Sequence, residues 1–151
     1  MRRVGDFRDR MRILIVGNGG REHALAWALA RSPKAPELFI APGNPGTAQL
    51  GRNVDIGSSQ IDELLRFAKS EQIDLTVVGP EQPLVDGLVD AFEAAGLAVM
   101  GPSAAAARLE GSKAFAKAFM DRHGIPTAAY RAFRSEDYEA ARDYLKMVGA
   151  P

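Results

Sequence analysis

The 151 residues carry nineteen Lys and Arg against nineteen Asp and Glu, a formal net charge of zero, and 46% of them are hydrophobic. A chain with a real core is therefore expected, and nucleic acid is a poor partner, because phosphate-backbone binding rests on clustered Lys and Arg and no such run is present. The lack of cysteine excludes disulfides and thiolate sites, two histidines argue against a His-rich zinc site, and no apolar run reaches membrane-spanning length, so a cytoplasmic location is expected.

Residues 1–10, MRRVGDFRDR, are charged and aperiodic and read as a disordered extension ahead of Met11. Ile13, Leu14, Ile15 and Val16 then run without polar alternation, as in a strand covered on both faces of a parallel sheet. The run stops at Gly17-Asn18-Gly19-Gly20 and restarts as a helix with Leu25, Ala28 and Leu29 at helical spacing. Glycines at the carboxyl end of a strand let backbone N–H groups approach an anion, and the helix start adds its positive dipole end. A phosphate is the ligand this suggests; a tight turn with a purely structural purpose is the plain alternative. The spacing disfavours a dinucleotide. Gly17 and Gly19 fit the first two positions of G-x-G-x-x-G, but Glu22 occupies the third, and ELFIAPGN ends without the acidic residue a ribose requires, Glu37 lying at its wrong end.

Ser32-Pro33 breaks the first helix, and a second strand over Glu37 to Ala41 runs into the rigid loop Pro42-Gly43-Asn44-Pro45-Gly46-Thr47. Val54-Asp55-Ile56 suggests a short third strand, with Ser58 or Ser59 capping a helix to about Ser70 whose inner stripe is Ile61, Leu64, Leu65 and Ala68. DLTVVG, from Asp74, is the next buried strand. It ends in Pro80-Glu81-Gln82-Pro83, which opens one helix through Leu84, Leu88, Val89 and Phe92 to Gly96, and Leu97 to Met100 is a further strand. Ser103 caps AAAARLE, and Lys113 begins KAFAKAFMDRHG, with Phe115, Ala118 and Phe119 as an apolar face and Lys113 and Lys117 one turn apart. Ala129 to Phe133 suggests a strand, and Ser135 with Tyr138 starts a last helix. Repeated β-α units with short links predict an α/β fold with a doubly wound, mostly parallel sheet. Three loops, at 17–20, 42–47 and 80–83, follow strand carboxyl ends and should converge on one site.

GNGGREHALAWAL at 17–29, APGNPGT at 41–47, VGPEQPLVDGLVD at 78–90 and GPSAAAARLEGSKAFAKAFMDRHGIPTAAY at 101–130 together resemble the amino-terminal part of the phosphoribosylamine-glycine ligase (glycinamide ribonucleotide synthetase) family, ATP-grasp enzymes of de novo purine synthesis. The resemblance covers nearly everything after Met11. It implies a Rossmann-like substrate-binding domain over 11–111, then the incomplete start of an ATP-grasp domain over 112–151. The implied reaction joins glycine to 5-phosphoribosylamine and splits ATP to ADP and phosphate through glycyl phosphate, with Mg2+ at the nucleotide. By motif match, Gly17, Asn18, Gly19, Gly20 and Arg21 go to substrate binding, with Asn44, Gly46, Glu81 and Asp86 beside them, and Lys113 goes to the nucleotide phosphates. The family's magnesium carboxylates and nucleotide loop have no counterpart in these residues. The 151-residue chain alone is therefore expected to be an inactive fragment that needs the ATP-grasp portion in cis or in trans. A nucleotide-binding oxidoreductase domain and a non-catalytic interaction module are the competing readings.

Residue by residue, Glu22 suits the helix dipole, and His23 is placed to pair with Trp27 or to bond at the helix start, ligand contact being the alternative. Arg21 opposes the dipole unless an anion sits beside it. Glu81 is either an exposed loop carboxylate or an acceptor for a sugar diol. Exposed apolar surface is expected around Phe115, Phe119 and Tyr130.

Overall fold

The computed structural model describes residues 10–149, so the extension expected over 1–10 lies, Arg10 apart, outside the described residues. The chain divides into two compact units between Gly111 and Ser112. The first contains β1 (Arg12–Gly17), α1 (Gly20–Ala30), β2 (Glu37–Pro42), a short 3-10 turn (Thr47–Gln49), β3 (Arg52–Asn53), α2 (Ile61–Ser70), β4 (Leu75–Val78), α3 (Glu81–Val85), α4 (Leu88–Ala94), β5 (Val99–Met100) and α5 (Ala104–Gly111). The second contains α6 (Lys113–Arg122) and α7 (Tyr138–Val148).

The five strands are all parallel in the order β3-β2-β1-β4-β5. β1 is central and both its faces are covered. Leu14 and Val16 point into a core with Phe39, Leu64 and Ala68 of α2, and Leu88 and Phe92 of α4. Ile13 and Ile15 point into the opposite core with Leu38, Ile40, Val77 and Ala26 of α1. Apolar neighbours on both sides are why the strand shows no alternation, and helices on both faces make the sheet doubly wound.

Two cations tie the amino edge of the sheet: Arg52 pairs with Glu71 at 3.3 Å, and Arg12 makes the fuller set of contacts. The Arg12 guanidinium reaches Glu37 at 2.8 Å and Glu71 at 3.0 Å, and it lies 4.9 Å from the Phe39 ring centre. Its backbone N–H donates to Asp74 Oδ2 at 2.7 Å. The hydrogen bond to Glu37, before its other contacts, raises the Arg12 pKa.

Several boundaries differ from the sequence pattern. The third strand is Arg52–Asn53 rather than 54–56: these two residues pair with Phe39 and Ile40, one further bond runs from Val54 N–H to Ile40 O, and the chain then leaves the ladder. α2 starts at Ile61, because Gln60 rather than Ser58 or Ser59 turns the chain, its Oε1 accepting from Gly57 N–H at 2.6 Å. The single helix expected after Pro83 is two. It breaks at Gly87, whose φ of 91° is left-handed and cannot continue a helix. β5 shrinks to two residues.

In the second unit, Ser112 Oγ caps α6 by accepting from Phe115 N–H at 3.3 Å. Ala116 is buried and Ala118 exposed, while Phe115 and Phe119 are half-buried, so of the expected exposed aromatics Tyr130 alone is exposed. No strand forms at 129–133. Lys117 instead ties the segment after α6 to that helix, donating to Thr127 Oγ1 at 2.6 Å and Ala128 O at 3.0 Å. α7 starts at Tyr138 with Asp137 as its cap residue. Among the described residues no helix is long and apolar enough to cross a membrane.

Candidate functional site

The strand order reverses at β1, whose chain passes first to β2 on one side and later to β4 on the other. In open α/β sheets the crevice beyond the carboxyl ends at such a point is where ligands bind. Three loops meet there: 17–20 after β1, 42–47 after β2 and 79–80 after β4, where α3 begins at Glu81.

The first two loops are joined through backbone and side chain. Gly43 N–H donates to Gly17 O at 3.2 Å, and Asn44 Nδ2 donates to Asn18 O at 2.9 Å. Asn44 Oδ1 also accepts from the N–H groups of Gly46 and Thr47, at 2.8 and 3.0 Å. Most of the Asn44 side chain is thus used within the loops, leaving one amide hydrogen for a ligand. The Thr47 hydroxyl, fully buried, sits 2.7 Å from Asn53 Oδ1 and accepts from Asn44 N–H at 2.8 Å.

The first and third loops are joined by the start of α1. Gly79 N–H donates to Val16 O at 3.1 Å, and the Arg21 guanidinium donates to Gly79 O. Glu22 is not among the residues that the motif match assigns to substrate, yet it is 4% exposed and its Oε2 accepts from Gly19 N–H at 2.7 Å. It stands in the first turn of α1, as the helix dipole favours, and its side chain fills the space beneath the glycine turn. The readable signal was the spacing of a cap residue, Gly19, and an acidic residue three positions on, half of a capping box.

His23 packs against Gly46, where an added Cβ would lie 2.3 Å from the imidazole Cε1. It does not pair with Trp27, which is exposed and stacked by the Arg31 guanidinium at 4.5 Å.

Gly17, Asn18, Gly19, Gly20, Arg21, Asn44 and Gly46 are therefore brought together, with Glu81 exposed on the first turn of α3 just beyond Gly79 and Pro80. Gly20 is open, with no atom within 4 Å of an added Cβ. Asp86 is placed elsewhere. At the far end of α3 it accepts from Gln82 Nε2 at 2.8 Å and lines an open depression of about 480 Å³ with Gln60, Asp62 and Arg66, whose walls include none of the loop residues. Lys113 is the exposed first residue of α6, in the second unit. Among the described residues no group of three or more His, Asp or Glu is arranged to hold a metal ion.

What the loops can do chemically follows from the helix start. The first N–H groups of α1 lack intrahelical partners, and the dipole and the Arg21 cation favour an anion there. A family model described as phosphoribosylglycinamide synthetase, N domain, matches residues 11–110. The chain belongs to this family.

Phosphoribosylglycinamide synthetase N-domain relatives extend the match past the domain itself. The chain is 59% identical over 143 residues to a phosphoribosylamine--glycine ligase of Yersinia pestis and 57% identical to that of Escherichia coli (strain K12), in each case over 93% of this chain and 33% of the relative. It spans about a third of the length of the curated relatives it matches. The crystal structure of a Thermotoga maritima phosphoribosylamine--glycine ligase superposes with a TM-score of 0.63 at 32% identity, covering 91% of this chain and 30% of that one. An N5-carboxyaminoimidazole ribonucleotide synthetase from Thermus thermophilus gives 0.65 at 27% identity, over 92% and 37%. The biotin carboxylase domain of a single-chain bacterial carboxylase, at 20% identity and a TM-score of 0.68 over 93% of this chain and 35% of that one, shares the fold.

Proposed function

We propose that this chain supplies the sugar-phosphate side of a phosphoribosylamine-glycine ligase, which converts ATP, 5-phosphoribosylamine and glycine to ADP, phosphate and glycinamide ribonucleotide. The observation that carries the reading is the meeting of the GNGGRE, PGNPG and GPE loops at the strand-order reversal, in a chain 59% identical to a protein of that name. The phosphate lies at the start of α1, on the N–H groups of Gly20 and Arg21, with the Arg21 cation beside it. Asn18 and Asn44 bound the pocket, and the Glu81 carboxylate accepts from the ribose hydroxyls.

Residues 112–151 begin the nucleotide-binding part, and Lys113 reaches the ATP phosphates as a mobile point charge. Magnesium belongs to the full reaction, but the described residues offer no cluster for it. The site for glycine, the phosphoryl-transfer machinery and a cytoplasmic setting belong to the whole ligase.

Ribose 5-phosphate, which keeps the phosphate and sugar of the substrate, tests the reading by calorimetric titration of the 151-residue chain. Saturable binding is expected, with at least a tenfold loss in Arg21→Ala. The chain alone, given ATP, glycine and phosphoribosylamine, is expected to release no ADP above background. Absence of ribose 5-phosphate binding, or tighter binding of NAD, would sink the proposal.

A further inference from the structure

We infer that Glu22 is the positioning residue of this site: its carboxylate holds the Gly17–Gly20 turn and Gly79 at the one separation that admits a ribose phosphate. The inference rests on the sugar-phosphate reading and adds a residue to it.

A carboxylate that is 4% exposed has lost nearly all its water, and burying such a charge is expensive unless a donor compensates. The donor here is a backbone amide of the turn itself, Gly19 N–H at 2.7 Å, and this bond is made only while the turn keeps its shape. The reverse also holds. A Cβ built on Gly17 would lie 2.6 Å from Glu22 Cγ, one on Gly19 3.0 Å from Oε2, and one on Gly79 2.0 Å from Oε1. Three glycines from the ends of two adjacent strands thus enclose a single side chain. Removing that side chain leaves a void between β1 and β4 into which both loops can settle, because interiors are close-packed and loops without a wedge collapse toward one another.

Arg21 supplies the opposing tie, donating to Gly79 O on the same strand end. Glu22 pushes the loops apart from below while Arg21 draws them together at the rim. The carboxylate also uses the single hydrogen of Gly19 N–H, which leaves that amide unavailable to a ligand. In a dinucleotide turn the second glycine is where the pyrophosphate approaches the backbone. With Gly19 engaged and a negative charge beneath it, this turn suits one phosphate rather than two.

Three variants of the 151-residue chain decide the matter: Glu22→Ala, Glu22→Gln and Glu22→Asp. Ribose 5-phosphate affinity and the hydrogen-exchange rate of the Gly19 amide are measured at a temperature where circular dichroism shows each variant folded. Glu22→Gln keeps an acceptor for Gly19 N–H and is expected to stay within about threefold of the parent in both. Glu22→Ala is expected to bind at least tenfold more weakly and to exchange Gly19 at least tenfold faster. If Glu22→Ala does not fold, Glu22→Asp, whose carboxylate is one methylene shorter, takes its place with the same expected signs. A variant that melts lower yet binds ribose 5-phosphate like the parent overturns the inference, as does an equal loss in Gln and Ala. If the parent itself binds no ribose 5-phosphate, the sugar-phosphate reading fails, and unchanged Gly19 exchange in Glu22→Ala then removes the positioning role as well.

Discussion

Substituting Gly79 by alanine adds one methyl group where the structure has no room for it. The new carbon would sit 2.0 Å from Glu22 Oε1, 2.5 Å from Cδ and 2.6 Å from Cγ, whereas unstrained heavy-atom contacts are about 3.5 Å. Gly79 is not in the left-handed region, so the backbone accepts alanine and the whole conflict falls on Glu22. The carboxylate must retreat by more than 1 Å, roughly the difference between those contact distances, and a 2.7 Å bond to Gly19 N–H stretched that far is lost. Overpacking costs about 1–3 kcal/mol and loss of a buried charged hydrogen bond about 1.5–3 kcal/mol; because the retreat that breaks the bond also relieves the clash, about 3 kcal/mol is expected rather than the full sum. Glu22→Ala removes the obstacle. The double variant Gly79→Ala with Glu22→Ala should therefore be less destabilised than the sum of the single variants by about 1–3 kcal/mol. Urea unfolding followed by far-ultraviolet circular dichroism gives all four corners of the cycle. Additivity within about 0.5 kcal/mol would show that the two residues do not touch, and the packing argument would fail.

Two further outcomes test the scaffold. Arg12→Met keeps an unbranched side chain but removes the cation over Phe39 and the pairs with Glu37 and Glu71; the groups are partly exposed, so a loss of about 1–2 kcal/mol is expected in urea unfolding, shrinking as salt is added. Phe92→Ala empties a fully buried ring site in the core between the sheet, α2 and α4 and should cost about 3–5 kcal/mol, read as a fall in the urea midpoint with little change in slope.

The parts of this fold that could be read in the residues are those governed by burial. Ile13 to Val16 announced a strand covered on both faces, and the structure places alternate residues in two separate cores. The resemblance drawn from GGREHA and the loops after it led to the family to which the chain belongs. Other features depended on partners that sequence spacing does not reveal. Val54-Asp55-Ile56 has the apolar spacing of a strand, but the ladder is set by where β2 runs, and only Arg52 and Asn53 lie opposite Phe39 and Ile40. The helix pattern from Pro83 to Gly96 is continuous in apolar residues, and the break at Gly87 is a backbone event. Ala129 to Phe133 has strand composition but no neighbouring strand among the described residues, and Lys117 holds the two residues just before it, Thr127 and Ala128, to α6. At the site, Glu22 was legible as a residue out of place in a dinucleotide turn; its burial was not, since that needs Gly17 and Gly79 from two strands. Asp86 shares a motif with Glu81 but lies at the other end of α3, because a five-residue helix carries the two apart.

The ionic cluster around Arg12 has a consequence for how charge is distributed over the sheet. From Arg12 to Gly17 the strand advances five residues, about 17 Å at roughly 3.3 Å each. That is about twice the Debye length of roughly 8 Å at physiological ionic strength. Charge changes at the amino edge therefore reach the glycine turn only weakly. Arg12, Glu37, Glu71 and Arg52 can be altered to adjust stability and salt response with little change in the potential at the glycine turn of the opposite edge. The sheet acts as an electrostatic spacer, and its two edges can be tuned independently.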